Sequence, residues 1–135
     1  MDPAPCRPFD RTRAGMNIGE GAGILVLEEL ERAQTRGARV YGELSGYSLG
    51  CEAHHPTAPE PEGRRVASLI LAALADANVD ASEVDHINAH GTATPQNDAA
   101  EAHAFRRAFG DRTGQSGGAS GPNPGGGHPN GADLG

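Results

Sequence analysis

An α/β fold is predicted for this chain of 135 residues by three observations. Residues 22–27 and 84–89 are short apolar runs of strand length, and residues 39–47 alternate large and small side chains with a period of two. Between them, Val66, Leu69, Ile70, Ala73, Leu74 and Ala77 recur at helical spacing. The resulting order, β, α, β, loop, α, β, α, fits layers of helix on sheet.

Each element follows from its residues. Residues 6–21 are irregular, because Pro8, Gly15, Gly19 and Gly21 punctuate them and no period survives. Residues 22–27 are apolar throughout, as in a strand buried on both faces. Residues 28–36 read as a short helix, acidic at its start and basic at its end in accord with the helix dipole, and Gly37 stops it. Residues 39–47 form the second strand, able to pair antiparallel with the first. Residues 49–62 hold Pro56, Pro59 and Pro61 without a period and read as a loop. From Gly63 an amphipathic helix of about four turns follows, with Arg64 and Arg65 outside and Asn78 at its end. Asp80, Ala81, Ser82 and Glu83 have capping-box spacing and predict one further helical turn. Residues 84–89 then make a third strand, and after Pro95 a last helix capped by Asn97 or Asp98 places Ala100, Ala104, Phe105 and Ala108 on one side.

Composition limits the functions open to such a chain. A net charge of −7 disfavours nucleic acid or an anionic membrane surface as partner. No stretch approaches the ~20 apolar residues of a membrane span, and the first residues show no targeting segment. A cytoplasmic location is expected. Cys6 and Cys51, without a signal peptide, argue for a reducing compartment and against a disulfide framework. All 11 basic residues are arginine. Residues 113–135, rich in Gly, Pro and Asn, carry almost no large apolar side chain and are expected to be disordered.

Chemistry concentrates at His90. Asn88-Ala89-His90-Gly91-Thr92-Ala93-Thr94-Pro95 sets an imidazole and two hydroxyls on a turn after an apolar strand, the place where open α/β sheets collect ligands. A histidine at a strand end is most often a structural donor, but Gly91 and the alternating Thr92 and Thr94 favour a site. Three further words stand around it: Cys6-Arg7-Pro8-Phe9-Asp10, Gly19-Glu20-Gly21-Ala22-Gly23-Ile24-Leu25-Val26-Leu27-Glu28-Glu29-Leu30, and Asn97-Asp98-Ala99-Ala100-Glu101. In this order and spacing, from about Cys6 to Gly110, the chain closely resembles the condensing β-ketoacyl-acyl-carrier-protein synthases of the discrete, elongating type.

The resemblance implies a five-layered thiolase-like αβαβα architecture, of which residues 1–110 would be one incomplete domain and 111–135 a disordered tail. It implies an acyltransferase of fatty acid or polyketide assembly acting by decarboxylative Claisen condensation. His90 would be the first of two histidines that hold the malonyl carbonyl, stabilising the charge that develops on the thioester oxygen. Thr92 and Thr94, and more weakly Thr57, would hydrogen-bond a phosphopantetheine arm. Asp98 and Glu101 would support the site, although helix capping explains Asp98 and turn chemistry the threonines. Acyl carrier protein would be the partner, within a homodimer or a ketosynthase heterodimer, and no cofactor would bind directly. Asn88 before Ala89-His90, and Pro95 after Thr94, favour the discrete enzyme over a modular polyketide domain.

The resemblance also implies a nucleophilic cysteine upstream of Cys6 and a lysine and second histidine downstream, so this segment by itself is expected to be inactive. Cys6, bracketed by Pro5 and Pro8, and Cys51 read as structural residues. His128 lacks the context to act as the second histidine. A non-catalytic, chain-length-factor-like subunit is the alternative, disfavoured because such subunits tend to lose the catalytic histidine; a non-functional truncated product is another. Three other motifs fail. Gly19-Glu20-Gly21-Ala22-Gly23 precedes a strand and not a helix, so it is no dinucleotide fingerprint. His86 and His90 have no helix to bring both onto one metal, and His54-His55 has no third ligand; no metal is expected.

Overall fold

A computed structural model describes residues 5–110. Three helices order it: α1 at Leu30–Thr35, α2 at Arg64–Ala77 and α3 at Pro95–Phe109, with a 3₁₀ turn at Ala81–Glu83 before α3. No described helix is long and apolar enough to cross a membrane. The expected tail lies outside the described residues.

The helices form where period and punctuation place them. Gly37, at φ 68°, ends the stretch after α1, and the Glu28 carboxylate takes two bonds from the Arg36 guanidinium, tying the helix's ends together. Glu60 caps α2: its carboxylate accepts the Arg64 N–H at 2.8 Å and the Glu62 N–H at 3.3 Å. Asn78, left-handed at φ 55°, closes the far end as the sequence predicts. The Asp80–Glu83 capping box is present in both directions, Asp80 accepting from Ser82 N–H and Glu83 from Asp80 N–H. At α3 the cap is Thr94, not Asn97 or Asp98: its hydroxyl accepts the Asn97 N–H, and Pro95, which has no N–H to leave unpaired, occupies the first turn.

Helices α2 and α3 pack through small residues. Ala67, Ala100, Ala104 and Ala108 are buried. Gly63, at φ 62°, sits so close to α3 that a Cβ there would lie 2.6 Å from Ala104 N and would collide with the Ala100 carbonyl. A second clamp joins the loop before α2 to α3, with the Arg107 guanidinium donating to the Glu62 carbonyl and carboxylate and His103 Nδ1 lying 2.8 Å from the Pro61 carbonyl.

The three expected strands carry no ladder among the described residues. A strand needs a partner to take its N–H and C=O groups, and among the described residues none of these runs is hydrogen-bonded into a ladder. Ile24, Leu25, Val26 and Leu27 are 91, 89, 89 and 76% exposed, so neither face of that run is covered, and among the described residues it carries no ladder with residues 39–47. The end of the second run instead lies against α2: Ser48 Oγ donates to the Leu69 carbonyl, Tyr47 N–H to Asp76, and Gly46 approaches Ala77 N.

Candidate functional site

The turn at residues 90–94 is held from beneath by α3. Glu101, one turn and a half into that helix, is buried, and its carboxylate accepts three donors: His90 N–H at 2.7 Å, Gly91 N–H at 2.8 Å and Asn97 Nδ2 at 2.7 Å. A desolvated carboxylate needs such partners, and charge-assisted bonds to two consecutive amides fix the peptide plane under His90. The imidazole is left exposed, with no hydrogen bond among the described residues. Its main chain is anchored and its ring is free.

Asp98 does the same for the far end of the turn. It is 1% exposed and accepts the Ala93 N–H at 3.1 Å through Oδ1 and the Phe9 N–H at 2.7 Å through Oδ2. It therefore does not cap the helix; it joins the turn to the residues around Phe9. Gly91, at φ 55°, lies under Pro8 and the Phe9 ring, and Phe9 meets Phe105 of α3 at 6.5 Å between ring centroids. The residues that lead this site are thus sandwiched between residues 6–13 and α3.

Thr92 and Thr94 stand together, their hydroxyls 2.9 Å apart. Each hydroxyl also accepts a backbone N–H, Thr94 Oγ1 from Asn97 at 3.3 Å and Thr92 Oγ1 from Thr94 at 3.4 Å. Cys6 Sγ lies 3.8 Å from the Thr92 carbonyl, a weak contact at an exposed thiol. Thr57 belongs to a separate loop: its N–H and that of Ala58 both donate to His55 Nδ1 at 3.2 Å, and none of its hydrogen bonds reaches residues 90–94. The structure brings His90, Thr92, Thr94, Asp98 and Glu101 into one cluster and leaves Thr57 outside its hydrogen-bonded network.

Sequence reasoning missed Arg13, Asn97 as a ligand of Glu101, and Phe9. Asn97 sits four residues before Glu101 on one helix face, a spacing that could have revealed the pair. Arg13 and Phe9 meet the site from 82 and 89 positions away and leave no local signal. A cleft of about 750 Å³ opens elsewhere, between residues 26–36 and 38–45, and holds none of the site residues. Among the described residues no three His, Cys, Asp or Glu side chains converge to hold a metal ion.

Comparison with known proteins gives the same direction from independent matches. Residues 41–133 match the profile of the β-ketoacyl synthase C-terminal domain, and residues 1–33 that of the N-terminal domain. The chain is 51% identical over 105 residues to a 3-oxoacyl-[acyl-carrier-protein] synthase 2 of Synechocystis, covering 78% of this chain and 25% of the relative. It is 48% identical over 106 residues to the protein of that name in Staphylococcus aureus, covering 78% of this chain and 26% of the relative. The chain therefore spans about a quarter of the length of the curated relatives it matches. Among solved structures it is similar to the ishigamide ketosynthase/chain length factor, with TM-score 0.77 and 50% identity, over 82% of this chain and 27% of that one. It is similar also to a type II polyketide synthase acyl-carrier protein in complex with its ketosynthase, with TM-score 0.76 and 42% identity, over 78% of this chain and 26% of that one.

Proposed function

Because the chain belongs to the β-ketoacyl synthase family, we propose that it is the segment of a cytoplasmic, thiolase-like condensing enzyme that holds the malonyl thioester while it loses carbon dioxide. One observation carries the reading most: Glu101 anchors the amides of His90 and Gly91 and leaves the imidazole free. That is how an oxyanion donor is preorganised, its backbone fixed before charge appears and its ring N–H open to a ligand.

In the proposed step the C–C bond to the malonyl carboxylate breaks and carbon dioxide leaves. The electron pair moves onto the thioester as an enolate, whose oxygen accepts a hydrogen bond from the His90 ring. The enolate carbon then attacks an acyl-cysteine thioester, forming the new C–C bond and releasing the thiolate. The nucleophilic cysteine, a lysine and a second histidine would come from parts of the enzyme other than this segment, so the segment alone does not condense. Thr92, with Thr94 and Thr57 at the edges, would bind the amides and hydroxyls of a phosphopantetheine arm. The arm would be delivered by acyl carrier protein, and a homodimer or ketosynthase heterodimer would be the working assembly. The relatives' names and the ketosynthase–carrier-protein structure support this reading. The layered sheets would form with the remainder of the fold. A non-catalytic chain-length-factor-like role fits less well, since it has no use for a free, anchored His90.

The test is His90→Ala in a full-length ketosynthase carrying this segment. Decarboxylation should fall about 10²–10³-fold, the usual cost of one oxyanion donor, while acyl transfer onto the cysteine is at least partly retained. Release of carbon dioxide at the parental rate would refute the assignment.

A further inference from the structure

Two residues of the cluster that are not glycine hold left-handed backbone: Phe9 at φ 63° and Ala93 at φ 61°. Side chains disfavour that region, and a conformation of this kind persists only where the surroundings over-determine it. Both N–H groups end on one side chain, Phe9 on Oδ2 and Ala93 on Oδ1 of Asp98. Asp98 is 1% exposed, so the protein supplies its partners. The cation that faces it is Arg13, whose Nε lies 3.4 Å from Oδ2 as an ion pair without hydrogen-bond geometry. The same guanidinium donates to the Asp10 carbonyl and the Pro95 carbonyl, each at 3.1 Å. One side chain thus touches the segment carrying Phe9, the first residue of α3 and the carboxylate that joins them.

We propose that Arg13 is a positioning residue for the His90 turn, holding the Asp98 carboxylate in place so that Phe9 and Ala93 keep their left-handed conformations and the turn stays pressed between residues 6–13 and α3. The geometry itself needs no assumption about catalysis; its consequence for the reaction rests on the role of His90 given above.

The test separates the two. In this chain, amide hydrogen exchange at Phe9 and Ala93 should rise about tenfold or more in Arg13→Gln, as expected for loss of a charge-supported hydrogen-bond set. Exchange within α2 should not change. Arg13→Lys keeps a charge but cannot reach both carbonyls, and should recover part of the protection. Unchanged exchange at Ala93, an equal rise in α2, or no recovery with lysine would overturn the proposal. In a full-length ketosynthase, Arg13→Gln should lower kcat for decarboxylation with KM for the malonyl thioester little changed, and an unaltered kcat would overturn the positioning role. If His90→Ala itself decarboxylates normally while the exchange result holds, the functional reading fails and the Arg13 strap stands.

Discussion

Glu101 shows what a single residue decides here. Its carboxylate satisfies two consecutive backbone amides and the Asn97 side chain, so removing it leaves donors in a half-buried place with nothing to receive them. An unsatisfied buried donor costs about 1–3 kcal/mol. Glu101→Ala should therefore destabilise the chain by about that much in urea unfolding and raise exchange at His90 and Gly91, leaving Phe9 unaffected. A loss below about 0.5 kcal/mol, the scatter of neutral surface changes, would mean that the turn finds other acceptors. The sequence singles out His90, Thr92 and Thr94 by their turn, and Asp98 and Glu101 through the family resemblance, and the five stand in one cluster. It did not make their partners legible. Glu101 binds backbone amides, which every residue except proline has, and Arg13 reaches Asp98 across the whole chain.

At the scale of elements, helices were read well and their first turns less so. The apolar period and Asn78 place α2, and the Asp80 capping box forms as spaced, because both signals are local. The start of α3 falls on Thr94 because proline after it prefers the first helical turn, a choice that outranks the carboxamide and carboxylate further on. The cap of α2 came from a loop residue with no helical pattern around it, Glu60. Burial pushes the Glu60 carboxyl up, but the Arg64 N–H, the Arg64 charge, the Glu62 N–H and nearby His54 together hold it below its ordinary value. A lowered folded-state value means that the fold favours the ionised form. The stabilisation is then complete above the ordinary carboxylate range and is lost as pH falls through and below it. Acidification should loosen the amides of Glu62 and Arg64 before the middle of α2, and Glu60→Gln should flatten that local pH dependence. An acid transition at Arg64 unchanged by Glu60→Gln would place the titrating group elsewhere.

The whole molecule is dominated by what it leaves uncovered. Among the described residues the buried apolar side chains are alanines alone: Ala33, Ala67, Ala93, Ala100, Ala104 and Ala108. Several large apolar side chains lie outside, Ile24 to Leu27 above all, with Tyr41, Leu44 and Leu49 at 86, 74 and 87% exposure. Composition and run length foretold strands at these places, but a sheet is a property of several strands, and a single run cannot supply its own neighbours. Side chains apolar on both faces suit a strand covered on both sides. The relatives are about three times as long as this chain. This chain alone should therefore bind an apolar dye such as ANS strongly. Leu25→Asp separates a surface that is open from one that is covered elsewhere. In the isolated chain Leu25 is 89% exposed, so the change should shift unfolding by no more than about 0.5 kcal/mol while lowering dye binding. In a full-length ketosynthase the same carboxylate would enter a covered apolar site without a partner and should cost about 3 kcal/mol or more. Equal, small effects in both settings would show that residues 22–27 remain open to solvent in the larger fold, and the strand assignment would have to be given up.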